Sequence, residues 1–222
     1  MEHGKLIVLE GLDGSGKSTQ MEALKRRLEG CGQPYRQIKL PDYDDPSSTL
    51  VRLYLDGAFG SRANDVNAYA ASLFYAVDRY ASYRRHWGAD YENGMLILAD
   101  RYATSNAIHQ MGKLPEAEWP DFLRWIEDLE YEKNGIPRPD AVFYLDMPVE
   151  ISQRLMTRRY GGNDVKKDVH ECDVDYLNQC RATAAFAARQ WGWHVIGCAR
   201  NGEPRPIAEI SGEIFTVLSK EL

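Results

Sequence analysis

One run constrains this chain more than any other: Gly11-Leu12-Asp13-Gly14-Ser15-Gly16-Lys17-Ser18 fits the pattern G-x-x-x-x-G-K-[ST]. A short apolar run, Leu6 to Leu9, precedes it, and a helical pattern reaching about Glu29 and closed by Gly30 follows. Strand, glycine loop and helix together make a phosphate cradle. The glycines let backbone N–H groups turn inward, the lysine neutralises phosphate charge, and the helix adds its positive N-terminal end. Chance alone produces the pattern in roughly 1% of chains this long. The competing reading, a glycine-rich turn without a ligand, leaves the flanking strand and helix as coincidences.

The rest of the chain repeats that alternation. Tyr35–Lys39, Met95–Ala99, Ala141–Leu145 and Val195-Ile196 read as further strands. Helices are predicted over Ser47–Leu55, Asn64–Trp87, the stretch ending at Gln110, Trp119–Glu130, Pro148 to about Arg158, Glu171–Gln190 and from about Pro206. The pattern implies a three-layer α/β fold: a five-stranded, mostly parallel sheet flanked by helices. Ligands in such sheets bind beyond the carboxyl ends of the strands, so the glycine loop and Asp100 share one rim. On the long helix, Val66, Tyr69, Ala70, Leu73, Val77 and Ala81 recur at helical spacing and predict a core stripe, which would serve equally as a face between two copies. The polar stretch 160–170, opening with Gly161-Gly162, predicts a mobile loop.

Composition narrows the partners. The 222 residues carry a formal charge of −6, which suits no long nucleic acid but leaves room for a local basic pocket. No apolar stretch is long enough for a membrane span, and the N-terminus has no secretory pattern. Cys31, Cys172, Cys180 and Cys198 show no metal-type pairing and read as reduced cytosolic thiols.

The loop predicts a triphosphate site at Gly11, Gly14, Ser15, Gly16, Lys17, Ser18 and Thr19, with the Ser18 hydroxyl on Mg²⁺. No N-K-x-D segment for guanine is present. Asp100, ending a strand, suits a metal-holding acid or a helix N-cap. Arg101 beside it can bridge donor and acceptor phosphates, or form a plain ion pair. Tyr75 and Arg79 stand at i,i+4 on one helix face; they suit a planar base, or a surface cation–π pair. Arg154, Arg158 and Arg159, with Lys166 and Lys167 beyond, read as helix-end charge or as a basic lid.

At this point the chain resembles the thymidylate kinases, among the P-loop nucleoside monophosphate kinases. The matching pieces are Leu9-Glu10-Gly11 through Thr19, Phe74-Tyr75-Ala76-Val77-Asp78-Arg79, Asp100-Arg101-Tyr102-Ala103-Thr104-Ser105-Asn106, and Pro137-Arg138-Pro139-Asp140 with Ala141–Asp146. The resemblance implies a P-loop NTPase-type fold with a short lid at about 158–171, in a single kinase unit spanning 1–222. It implies Mg²⁺-dependent transfer from ATP to dTMP, giving dTDP, in a cytoplasmic homodimer. Asp13 would position acceptor and Mg²⁺. Tyr75 would stack on the base and Arg79 would contact its carbonyl. Arg101 would hold the acceptor phosphate, Asn106 the base, and His109 would sit near the deoxyribose. Arg154, Arg158 and Arg159 would serve the lid and the adenine side. The family pattern breaks at Leu40-Pro41-Asp42-Tyr43, where many relatives have a nearby arginine for the acceptor phosphate. Here none occurs before Arg52, and Asp42, Asp44 and Asp45 would repel a phosphate. Either another cation compensates or the acceptor differs: another deoxynucleotide, or a nucleoside. A regulatory nucleotide-binding module without transfer activity is the alternative from another class.

Overall fold

A computed structural model describes residues 3–60, 62–159 and 174–221. Strands β1 (Leu6–Gly11), β2 (Tyr35–Lys39), β3 (Leu96–Asp100), β4 (Ala141–Asp146) and β5 (His194–Gly197) form one sheet in the order β2-β3-β1-β4-β5. Every pairing in it is parallel.

The period of two along these strands builds two cores. Leu6 and Val8 join Ile97, Ala99, Val142 and Tyr144 on one face. Ile7 and Leu9 join Leu96, Leu98, Phe143 and Leu145 on the other. Both faces therefore need covering, which is why the strands read as continuous apolar runs. Helices α1 (Lys17–Gly30) and α9 (Ile207–Glu221) cover the second face through Met21, Leu24, Leu28, Ile210, Ile214 and Leu218. Helix α8 (Val174–Trp191) covers the first through Cys180, Ala184 and Ala187, alongside Phe122 and Ile126 of α6 (Trp119–Glu127).

The predicted helix over Asn64–Trp87 is divided. A 3₁₀ turn at Ala63–Asp65 precedes α3 (Ala68–Ser82), whose N-cap Asn67 accepts from the Ala70 amide. A π-helical turn, Tyr83–Trp87, then leads into α4 (Gly88–Glu92). The predicted core stripe is corrected. Val66 is buried, but Tyr69, Leu73 and Val77 are 36%, 45% and 52% exposed. The buried side of α3 is instead Ala68, Ala71, Ser72, Ala76, Asp78, Arg79 and Ser82. Small residues there let the helix pack closely on residues 46–55, and Asp78 and Arg79 line a cavity. A hydrophobicity pattern alone assigns the face the wrong way round.

The short elements α2 (Thr49–Leu55), α5 (Thr104–His109) and α7 (Val149–Arg159) sit near their predicted places. A hairpin of β6 (Ala199–Arg200) and β7 (Glu203–Pro204) was not predicted. Its turn is Asn201-Gly202, both at positive φ, the dipeptide that favours two-residue hairpins. No described helix is long and apolar enough to cross a membrane. Cys31, Cys180 and Cys198 are free thiols, and burial pushes Cys180 and Cys198 up to about 12. Cys172, most of the predicted lid and Lys166 and Lys167 lie outside the described residues.

Candidate active site

The phosphate loop joins β1 to α1. Gly14 and Gly16 adopt φ of 76° and 93°, a left-handed region closed to most side chains. A Cβ on Gly14 would also lie 2.7 Å from the Ser152 carbonyl oxygen of α7. Gly16 is the N-cap of α1 and offers no side-chain acceptor, so the first-turn amides are left for an anion. Lys17 is buried and donates to the carbonyls of Gly11 and Leu12 at 2.7 and 3.1 Å. Burial, then the nearby Arg101, lowers its pKa to about 8. Gly14, Gly16, Lys17, Ser18 and Thr19 line one groove with Asp100 and with Leu155 and Met156 of α7.

Asp100 ends β3, with Leu9 of β1 as its registered partner. It caps no helix, since α5 begins at Thr104, so the N-cap alternative falls away. Its Oδ1 is buried without a hydrogen-bond partner, in the same groove as Ser18. Two oxygen donors of this hard type, one of them otherwise unsatisfied, fit a Mg²⁺ ion.

Arg101 follows with φ 70°, a left-handed backbone uncommon for a non-glycine residue. Its guanidinium donates to Asp13 at 2.7 Å and to His109 Nε2 at 2.9 Å. Arginine has no acceptor, so Nε2 accepts and the His109 proton sits on Nδ1. Burial opposes ionisation of Asp13, but Arg101 and then Lys17 outweigh it and hold that carboxylate below its usual range.

The turn after Arg101 hangs on Glu10, a residue sequence reasoning did not single out. Glu10 is fully buried between the two loops. Its carboxylate accepts from the Tyr102 amide, the Thr104 hydroxyl at 2.7 Å and the Ser105 hydroxyl at 2.8 Å. Burial raises its pKa, against Arg101 and these hydroxyl donors.

A second cavity opens beside the loop, lined by Lys39, Leu40, Tyr75, Arg79, Arg101, Asn106, His109, Gln110 and Tyr176, among others. The structure thus brings Tyr75, Arg79, Arg101, Asn106 and His109 together. Arg79 is no surface cation–π partner: it is buried and bonded to the buried Glu130 of the π turn Asp128–Lys133. Asn106 Nδ2 and Gln110 Oε1 are buried without partners on the cavity wall, a donor and an acceptor side by side. Gln110 and Tyr176 on the cavity wall, and Glu130 behind Arg79, carry no sequence signal, because only the tertiary fold brings them there.

One expectation changes here. Asp42, Asp44 and Asp45 line neither the cavity nor the groove. Asp45 instead accepts from the Ser47 amide, Arg85 and His86, so the acidic run does not face a bound phosphate. Arg52 donates to the Tyr43 carbonyl and Ser48 hydroxyl and does not enter the cavity either. Arg154, expected on the lid and adenine side, bonds to the Gly202 carbonyl and Glu203 of the β6–β7 hairpin. It lines a neighbouring groove with Arg200, Asn201 and Gly202. Arg158 and Arg159 occupy the last turn of α7, and their side chains lie outside the described residues.

Asp13, Lys39 and Arg101 line both the groove and the cavity. A phosphate loop sharing a wall with a second, aromatic and amide-lined cavity defines a two-substrate phosphotransferase of the P-loop class. The chain belongs to the thymidylate kinase family, whose sequence profile matches residues 9–203. It is 29% identical to a thymidylate kinase of Mycobacterium tuberculosis over 197 residues, covering 86% of this chain and 91% of that one. A Dictyostelium discoideum thymidylate kinase is 25% identical over 222 residues, covering 100% and 87%. The fold matches a solved thymidylate kinase from Candida albicans with a TM-score of 0.73 at 20% identity, covering 98% and 92% of the two chains.

Proposed function

We propose that this enzyme transfers the γ-phosphate of ATP to dTMP, giving dTDP. The observation that carries the reading is the rim shared by the two binding spaces: Asp13 and Arg101, bonded to each other, line both. Catalysis is then positioning and charge neutralisation, with no covalent enzyme intermediate. ATP phosphates rest on the amides of Gly14–Thr19 with Lys17 on the outer phosphates. Ser18 and Asp100 are the residues that would hold Mg²⁺, which neutralises phosphate charge. Arg101 holds the acceptor phosphate where negative charge crowds during transfer.

On the acceptor side, Tyr75 offers a ring for stacking. Arg79, Asn106 and Gln110 offer donors and an acceptor matching a pyrimidine edge with two carbonyls and an N–H. His109, fixed by Arg101, lies toward the sugar. The groove between α7 and the Asn201-Gly202 turn, with Arg154, takes the adenine side. The chain is a single kinase unit in a cytoplasmic enzyme that binds neither a nucleic-acid polymer nor a membrane; the lid expected at about 158–171 lies mostly outside the described residues. The outward stripe Tyr69, Leu73, Val77 and Tyr80, about half exposed in one chain, is the proposed homodimer face.

A coupled ADP-release assay over a panel of nucleoside monophosphates tests the reading. Turnover with dTMP and MgATP is expected. Turnover with another monophosphate but none with dTMP rejects the acceptor. Absence of acceptor-dependent ADP release points to a regulatory module instead.

A further inference from the structure

We propose that Lys39 is a second cation, beside Arg101, that receives the acceptor phosphate, in the place left without an arginine between Leu40 and Asp45; this rests on the reading that the acceptor is a nucleoside monophosphate.

The case is one of charge and position. A monophosphate enters carrying roughly −1.5 to −2 charges. Three strong cations line the acceptor cavity: Lys39, Arg79 and Arg101. Arg79 is already neutralised by Glu130 in a buried pair. Arg101 shares its charge with Asp13 at 2.7 Å, so it holds the acceptor phosphate without neutralising it alone. Among the described residues the Lys39 side chain makes no hydrogen bond or ion pair, and it is exposed. Neither Arg52 nor Arg85 can substitute, since both are spent on the 43–48 loop.

Placement agrees with charge. Lys39 is the last residue of β2, in register with Asp100 at the end of β3. Strand alternation puts it on the face opposite the buried Ile38, at the carboxyl rim where ligands gather. It lines both the phosphate groove and the acceptor cavity. An ammonium on a four-carbon stem reaches a phosphate oxygen without the fixed fork of arginine. In transfer it makes and breaks no covalent bond; it holds charge on the acceptor before the γ-phosphate arrives.

Calorimetric titration of wild type, Lys39→Gln and Lys39→Arg with dTMP, thymidine and ATP tests this. One charge-assisted contact predicts that Lys39→Gln weakens dTMP roughly tenfold to a hundredfold. Thymidine, which lacks the phosphate, and ATP should change by less than about threefold, and Lys39→Arg should recover most of the dTMP affinity. Equal weakening of dTMP and thymidine would mean a merely structural role and overturn the assignment. Unchanged dTMP affinity would overturn it as well, and greater weakening of ATP than of dTMP would move Lys39 to the donor. Wild-type protein that binds no dTMP sinks the acceptor reading itself, which the variants cannot mimic.

Discussion

Asp13 and Arg101 stand 88 positions apart in sequence, yet their side chains meet at 2.7 Å across the mouths of two strands. The contact ties the phosphate loop to the end of β3, so a change at either residue acts on both substrates. Asp13→Asn keeps the shape and removes the charge that holds Arg101. We expect kcat to fall roughly a hundredfold, in the range of a lost electrostatic contact in a transition state. Loss confined to the ATP KM would argue against a shared role.

Lys17 gives a pH signature. Burial and Arg101 bring its pKa from 10.5 to about 8 in the free enzyme. It is therefore protonated below about 8 and loses its charge above. The kcat/KM for ATP should fall by about tenfold per pH unit above that point. Stability should run the other way. The penalty on the buried charge is fully present below about 8 and is relieved as pH rises toward 10.5. A kcat/KM profile flat to pH 9.5 would remove Lys17 from the phosphate role, as would full activity in Lys17→Met.

Glu10 is the hub of the turn that carries Arg101. Glu10→Ala leaves the Tyr102 amide and the Thr104 and Ser105 hydroxyls without their buried acceptor, costing about 1–3 kcal/mol each at most, and less after relaxation. Melting should drop by several degrees, with the acceptor KM rising more than the ATP KM. Thermal unfolding and steady-state kinetics check the two halves, and a variant as stable as wild type contradicts the hub.

Arg79 and Glu130 separate folding from recognition. Breaking a buried ion pair by removing one partner costs about 3–5 kcal/mol, because the other charge stays buried. Glu130→Leu should therefore destabilise strongly, and Arg79→Met combined with Glu130→Leu should recover much of that loss. The acceptor KM of the double variant should remain high, since the base-facing donor is gone. Recovery of both properties together would mean that Arg79 is structural only.

The outer stripe of α3 predicts association. Leu73→Glu with Val77→Glu places charges on the half-exposed part of that face. Light scattering should show a wild-type dimer become a monomer with its fold intact. A monomeric wild type would discard the dimer face.

Local signals carried much of this. Gly14, Gly16 and Lys17 do their work within one turn of chain, and the buried strands announce themselves as apolar runs. Asp100 and Arg101 were legible because the end of a parallel strand is a place where ligands sit. What escaped was relational. Glu130 reaches Arg79 over 51 positions and Glu10 reaches Ser105 over 95, and no spacing rule reports such distances. The face of α3 was misassigned because a cavity-lining surface is small and polar while an outward face can be greasy. The Asn201-Gly202 turn is a hairpin signal, but its two-residue strands are too short to carry a pattern of their own.

The backbone at position 101 has a final consequence. A left-handed conformation costs an ordinary residue about 1–2 kcal/mol, and glycine would hold it freely. Substituting glycine should give a protein that melts higher than the matching alanine variant while turning over no faster. The arginine thus trades backbone ease for side-chain reach, since glycine could touch neither Asp13 nor His109.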